Sequence, residues 1–486
     1  MESDKKDTIL PPELNRAPKT IRHIHLMGIC GTGMASLAGI LKDKGYLITG
    51  SDRNVYPPMS HFLERLSIKV SEGYGPENLA SGPDLVIVGN VITRHNPEAI
   101  ELSRLKIPYL SFPQALSRFA LKGKKSIVIC GTHGKTTTSS VAAWILDQAG
   151  MDPLFMIGGI PAGFDSSFRL GKGPYCVVEG DEYDTAFFDK GPKFLHYSPM
   201  IVILTSVEFD HADIYRDLDH VKESFGRLMD IIPADGLLIA NADDPAVMDQ
   251  AAKAGCRVIT YGLSENALFR AQDISYSDKG TKALILKGDE PYLNIVTPLY
   301  GRHNISNMLS TAALSSYLDI PRQNLAGALS TFKGVKRRQE KIGEAGGILV
   351  LDDFAHHPTA VRETVRGVKE RFKGRRLVAV FEPRSNSSRR SIFQKRYAAS
   401  FDKADMILIP EPALMEKIPP EERFSSKGLV ADLTQNGKDA FYFETTDKLL
   451  NGLLKKSEKG DVVLFMSNGG FDNLQRRFYE GLKDRD

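Results

Sequence analysis

The chain of 486 residues is 42% apolar and 25% charged, too long for one core and rich enough to build several. Its 63 basic and 60 acidic residues leave a formal charge of +3, so no overall field favours nucleic acid or a membrane, and anion binding must be local. Four cysteines, Cys30, Cys130, Cys176 and Cys256, stand far apart without a C-x-x-C pair, which argues against a zinc cage or disulfide framework and fits a reducing cytoplasm.

The first twenty residues are polar and proline-bearing and lack the apolar run of a signal peptide or membrane span. From Ile21, "IRHIHLMGICGTGMASLAGILKDKGYLITGSD" predicts a strand, a loop with Gly28, Gly31 and Gly33, an amphipathic helix and a second strand ending at Asp52. This is a βαβ opening, and "PDLVIVGN" and "IPYLSF" add strands that close a small α/β unit near residue 115. The spacing G-x-x-G-x-G differs from the dinucleotide fingerprint G-x-G-x-x-G and disfavours NAD, yet glycines at a helix start still suit a diphosphate.

A second unit begins at "KKSIVICGTHGKTTTSSVAAWILDQAG", again strand, glycine loop and helix. A standard phosphate loop would place its first Gly at Ile129, so the loop is either shortened or a chance Gly-Lys-Thr; the apolar strand before it and the helix after it favour a site. Lys135 would then neutralise the β/γ-phosphates of ATP, and the Thr136 hydroxyl would join a Mg²⁺ shell. "YCVVEG", "MIVILTS" and "GLLIAN" read as further strands, and "HVKESFGRLMDII" as a helix between the last two. Two of these strands end in acidic clusters, Glu179, Asp181, Glu182 and Asp184, then Glu208, Asp210 and His211, where an α/β sheet presents its ligands. Residues 268 to 297 predict an antiparallel annex, followed by the helix "NISNMLSTAALSSYLDI".

The third unit, from "GGILVLDDFAHHPTAVRETVRGVKERF" through "RRLVAVFEPRS", "ADMILIPEP" and "GDVVLFMSNGGF", alternates strands with helices and predicts a parallel sheet. Arg384, Ser385 and Asn386 follow a strand and suit the carboxylates of a ligand, which the resemblance given below implies to be a peptide; a solvated basic loop is the alternative.

With "GTHGKTTT", "EGDEYD", "EFDHAD", "GRHNISN", "GVKRRQE" and "DDFAHHPT" in this order, the chain resembles the Mur ligases, ATP-dependent amide-forming enzymes of peptidoglycan assembly, over about residues 20 to 475. In that family the loop is the shorter G-T-x-G-K-T/S. The resemblance implies an α/β fold of three domains: an N-terminal Rossmann-like domain (20–117) for a UDP-sugar, a central P-loop ATPase-type mixed sheet (118–335) and a C-terminal Rossmann-like domain (336–486) for an amino acid or peptide. "GICGTGM" and "DDFAHHP" are similar to the members that use UDP-N-acetylmuramate, while "EGDEYDTAFFDKGPKFLHYSP" and "FEPRSNSSRRSIF" look like those that add L-alanyl-γ-D-glutamyl-meso-diaminopimelate in murein peptide recycling. The alternatives are the ligase that adds L-alanine and a non-catalytic nucleotide-binding protein.

The resemblance further implies roles position by position. ATP meets Gly131, Thr132, His133, Gly134, Lys135, Thr136 and Thr137, with His303, Asn304 and Asn307 near the adenine, Arg338 reaching the γ-phosphate and Asp353 near the ribose. Thr136, Glu179 and His211 are the implied metal ligands, for Mg²⁺. Gly28, Gly31, Thr32, Gly33, Met34, Ser51, Asp52 and Asn90 are implied for the UDP-sugar. A carbamylated lysine, used by some members as a metal bridge, has no counterpart: Gly226 stands at its spacing and Lys222 is out of register.

An amine must attack as a neutral nucleophile, so a base or a desolvated pocket is needed. His356 or His211 fits, although a metal-bound histidine cannot also be a base, and the His356-His357-Pro358 run also suits a helix cap. "FKGVKRRQE" reads as a hinge that lets the third domain close and exclude water. No nucleic acid or membrane partner is expected, and the chain is expected as a monomer or weak homo-oligomer.

Overall fold

The computed structural model describes residues 10–55, 59–277, 280–413 and 415–484. They divide into two compact units: one takes in the described residues up to Ile160 with Phe164–Val207 and Asp219–Thr260, the other Pro161–Gly163, Glu208–Leu218 and the described residues from Tyr261 onward.

The first unit holds two parallel sheets. In one, the strands run in the order Lys69–Glu72, Leu47–Asp52, His23–Met27, Leu85–Val88, Tyr109–Ser111, all parallel. Strand order reverses beside His23–Met27, which makes the crevice beyond Met27 and Val88 the ligand position of a doubly wound sheet. In the other, Leu237–Asn241, Pro199–Leu204, Lys125–Cys130, Tyr175–Gly180 and Leu154–Met156 are parallel, and Phe168–Arg169 pairs antiparallel at the end. The inner strands bury both faces, so they read as unbroken runs such as "SIVIC" rather than as alternating ones.

In the second unit, Phe269–Ser277, Gly280–Lys287 and Glu290–Thr297 form the expected antiparallel meander, followed by the helices Arg302–Tyr317 and Arg322–Thr331. The last sheet runs Glu340–Ala345, Ile348–Asp353, Val462–Met466, Leu377–Phe381, Met406–Pro410, Asp439–Phe443, parallel apart from the first strand. Alternation along each strand sends its side chains to two separate cores. Leu349, Leu351, Ala379, Phe381, Ile407 and Leu464 pack on one face, while Val350, Val378, Val380, Leu408, Val463 and Phe465 pack on the other.

Candidate active site

The phosphate loop follows the strand Lys125–Cys130 and opens the helix Lys135–Gln148, whose N-cap Gly134 is left-handed at φ +81°. Gly131 lies at φ +125°, where an added Cβ would fall 2.3 Å from Thr205 Oγ1 and 2.7 Å from the Ser206 backbone nitrogen. Only glycine fits this position. The adjacent strand's end cradles the loop: Thr132 N–H donates to the Ser206 carbonyl (3.0 Å), His133 N–H to Ser206 Oγ (2.9 Å), and the Thr205 hydroxyl to the Cys130 and His133 carbonyls.

Lys135 Nζ donates to the Gly131 carbonyl (2.7 Å) and to Glu182 Oε2 (2.8 Å). Burial works against its charge, but Glu182, Asp181 and Glu179 outweigh burial and raise its pKa, so it remains a cation. The Thr136 hydroxyl donates to Glu179 Oε2 (3.1 Å), and Gly158 N–H donates to Glu179 Oε1 (2.6 Å). Thr136 and Thr137 are buried in the helix's first turn. Hydroxyl and carboxylate oxygens at this spacing are the hard donors that Mg²⁺ takes, so this pair fits the metal the sequence implies.

At the other sheet of this unit, Gly28 leaves the strand His23–Met27, Gly31 is the N-cap of the helix Thr32–Asp43, and Thr32, Gly33 and Met34 form its first turn. Ser51 and Asp52 end the neighbouring strand, and Asn90, exposed, follows the strand Leu85–Val88. The Asp52 carboxylate accepts from Cys30 N–H (2.9 Å) and Asn54 N–H (3.0 Å), so it shapes the glycine loop. The Ser51 hydroxyl faces inward to Glu98 (2.7 Å), a fully buried carboxylate that also takes the Asn78 amide and the His25 imidazole.

In the second unit, His211, at φ +52°, meets His356, Arg384, Ser385, Asn386, Asp210 and Asn468 around a pocket of about 350 Å³. Burial alone would push the Asp210 carboxyl up; His211, His356 and His357 outweigh it and hold the group ionised well below the usual carboxylate range. Burial lowers the pKa of His356, and its Nδ1 faces the Phe354 carbonyl at 3.0 Å. A neutral ring with Nδ1–H donating there leaves Nε2 as a proton acceptor. The Arg384 side chain lies across Gly469, where a Cβ would come within 2.1 Å of its Cδ, and its Nη1 reaches Glu382 at 3.3 Å.

The remaining predicted residues lie in the same unit. His303, Asn304 and Asn307 occupy the first two turns of Arg302–Tyr317, with Asn304 donating to the Tyr300 carbonyl (2.7 Å) and Asn307 to Asn304 (3.4 Å). Asp353 accepts from Gln339 N–H (2.8 Å) and Ala355 N–H (2.7 Å). The Arg338 guanidinium sits 4.8 Å from the centre of the Phe354 ring.

Some residues that shape the site were not singled out from sequence. Arg337 binds Asp352 and the carbonyls of Ser467 and Gly469; Arg389 binds Asn386 Oδ1 (2.8 Å), and Asn386 in turn donates to Asp213 (2.9 Å). The paired arginines "KRRQE" and "SSRR" were the available signal, but nothing in a pair says which member turns inward.

The helix cap belongs to His357, not His356: its Nδ1 accepts Thr359 N–H (3.3 Å), leaving Nε2–H to donate to the Phe209 carbonyl (3.2 Å). Burial, aided slightly by Arg396 and His356 and only partly offset by Asp210 and Glu208, lowers its pKa to about 4. The unfolded chain takes up this proton near pH 6.5 and the fold resists it, so the stability is whole above that value and is lost as pH falls towards 4. The loss from this group reaches about 2 kcal/mol by about pH 5. Thermal unfolding at neutral pH and at about pH 5 checks this: the midpoint falls with acid, and falls less in His357→Asn, which keeps an acceptor for the cap.

Family models match three successive segments: the Mur ligase family catalytic domain over residues 23–124, the Mur ligase middle domain over 129–315, and the Mur ligase glutamate ligase domain over 337–469. The chain belongs to the Mur ligase family. This Mur ligase has the family's three-domain α/β fold and is an ATP-dependent enzyme that forms a carbon–nitrogen bond. It is 39% identical over 460 residues to the UDP-N-acetylmuramate–L-alanyl-γ-D-glutamyl-meso-2,6-diaminoheptandioate ligase of Escherichia coli K12, covering 94% of this chain and 98% of that one. Identity to the UDP-N-acetylmuramate–L-alanine ligase of Caldanaerobacter subterraneus is 32%, over 94% of this chain and 97% of that one. The crystal structure of a murein peptide ligase from Psychrobacter arcticus matches with a TM-score of 0.73 and 35% identity, covering 95% of this chain and 99% of that one. Among the described residues no helix is long and apolar enough to cross a membrane.

Proposed function

We propose that this Mur ligase joins UDP-N-acetylmuramate to L-alanyl-γ-D-glutamyl-meso-diaminopimelate, with ATP converted to ADP and phosphate, in the recycling of murein peptides. The observation that carries the reading is the match along nearly the whole chain to a ligase of that name, closer than the match to the alanine ligase. The pocket at Arg384 supports it. At about 350 Å³ it falls in the size range that encloses ligands much larger than one alanine.

The roles follow the three segments 20–117, 118–335 and 336–486. The glycine-led helix start at Gly31–Met34, with Ser51, Asp52 and Asn90 around it, takes the UDP-sugar through backbone N–H groups and the helix dipole. Gly131–Thr137 grips the ATP phosphates, with His303, Asn304 and Asn307 serving the adenine and Asp353 the ribose. A carboxylate cannot expel oxide, so its oxygen first attacks the γ-phosphate, ADP leaves, and an acyl-phosphate forms. Lys135 and Arg338 screen the two anions as they meet, an effect far stronger away from water. Thr136 and Glu179 would hold Mg²⁺, which when bound supplies further neutralisation of phosphate charge.

The amine then attacks the acyl carbon, phosphate departs, and the amide forms. His356 Nε2 takes the proton that the amine loses, while Arg384, Ser385 and Asn386 hold the carboxylates of the peptide. A cytoplasmic monomer or weak homo-oligomer is the working form. Mass spectrometry of the product made with ATP, Mg²⁺, UDP-N-acetylmuramate and the tripeptide tests the reading; an adduct of sugar nucleotide and tripeptide less one water is expected, and its absence overturns it.

A further inference from the structure

Lys193 lies outside every role assigned above, and its surroundings are unusual for a lysine. It is 9% exposed, at the end of a hairpin formed by Asp184–Ala186 and Asp189–Pro192. The hairpin's tip packs Phe188 edge-on against Tyr109 (4.8 Å between ring centres), and Phe187 and Phe188 both rest on the core around Met27 and Val88. Asp189 fixes its second strand through the Ser111 hydroxyl (3.1 Å) and His196 (2.9 Å). The hairpin is thus anchored on the sheet that carries the sugar-nucleotide loop, and Lys193 leaves its far end.

There Lys193 Nζ donates to Asp181 Oδ2 (3.0 Å) and to the Tyr183 hydroxyl (2.9 Å), and it lies 4.0 Å from the centre of the Tyr183 ring. Asp181 is the chain neighbour of Glu182, which already holds Lys135 at 2.8 Å. Two adjacent carboxylates, the buried Glu182 and the part-buried Asp181, therefore face two lysines: Glu182 is hydrogen-bonded to Lys135 and Asp181 to Lys193, while Asp181 still acts on Lys135 through its charge. Removing Lys193 would leave Asp181 with Lys135 as the nearby cation, and a lysine held by two carboxylates has less positive charge to offer a phosphate.

We infer that Lys193 is a positioning residue of the phosphate loop: by holding Asp181 and Tyr183 and balancing the Asp181 charge, it limits the pull of Asp181 on Lys135 and leaves Lys135 able to exchange Glu182 for the ATP phosphates. This rests on the reading of Lys135 as the phosphate-binding lysine. It also gives a purpose to the "FFDKGPK" stretch, which the assigned chemistry does not use.

Calorimetric titration with ATP in the presence of Mg²⁺ tests it on the full chain, without relying on which amine is joined. Lys193→Met weakens ATP binding about tenfold, and the double variant Lys193→Met/Asp181→Asn returns to within about twofold of the parent, because the competing carboxylate is gone. A merely structural lysine would also be rescued by losing its own partner, so the thermal midpoint is read alongside: ATP affinity lost in Lys193→Met at a parent-like midpoint is the expected result, and affinity that falls and recovers only together with the midpoint overturns the inference. Parent-like binding by Lys193→Met, or a double variant as weak as the single one, overturns the inference. Should Lys193→Met fail to fold, Asp181→Asn decides: unchanged affinity supports the inference, and weakening beyond about threefold overturns it by showing that Asp181 serves ATP directly. A parent chain that binds no ATP would overturn the phosphate-loop reading itself, a result distinct from any of these.

Discussion

Lys135→Ala is expected to lower phosphate release by about 10²- to 10³-fold, the scale on which enzymes lose rate when one transition-state charge partner is removed. The expectation follows from the setting of the ammonium. It is held in the first turn of a helix by the Gly131 carbonyl and Glu182, and the surrounding carboxylates keep it charged despite burial. Alanine would leave Glu182 buried without its cation, so the loop becomes repulsive to phosphate as well as less attractive. Binding of UDP-N-acetylmuramate persists, because Gly28–Met34 and Asp52 belong to a separate sheet whose loop is shaped by its own hydrogen bonds. Calorimetry with each nucleotide checks both halves; loss of sugar-nucleotide binding along with ATP binding would contradict the separation of the two sites.

Arg384→Ala is expected to raise KM for the tripeptide roughly 10- to 100-fold with little change in KM for ATP, since a charge-assisted hydrogen bond to a carboxylate contributes about 1.5 to 3 kcal/mol. Arg384 runs over Gly469 into the pocket and makes a single 3.3 Å contact to Glu382, so most of its guanidinium remains for a ligand. Arg384→Lys restores the charge but not the planar fork, and recovers only part of the affinity. Steady-state kinetics with each substrate varied in turn separates the two constants. A fall in kcat with KM for the peptide unchanged would place Arg384 outside peptide binding.

The sequence made the fold legible wherever periodicity and glycine agreed. "SIVICGTHGKTTT" is a buried strand, a loop and a helix in the structure, and residues 268–297 form the expected meander. Acidic residues at strand ends were legible as a cluster, because a parallel sheet presents its carboxyl ends together, and Glu179 and Glu182 do meet Thr136 and Lys135. What remained illegible was the division of labour between adjacent like residues. Asp181 and Glu182 stand side by side, yet one goes to Lys193 and the other to Lys135. Arg337 and Arg338 are likewise neighbours, but Arg337 is taken by Asp352 and two carbonyls while Arg338 lies on Phe354. The His356-His357 run hid a similar choice, and the cap fell to the second member. In each case the outcome depends on which side chain the backbone turns towards a partner far away in the chain, and no local spacing encodes that.

The most direct test of the central claim is phosphate release by the purified protein with Mg·ATP and UDP-N-acetylmuramate, offered either L-alanyl-γ-D-glutamyl-meso-diaminopimelate or L-alanine. Release with the tripeptide and little or none with alanine is the predicted result. Release with alanine alone would contradict it and make the enzyme an alanine ligase, and release with neither would leave a nucleotide-binding protein without this activity.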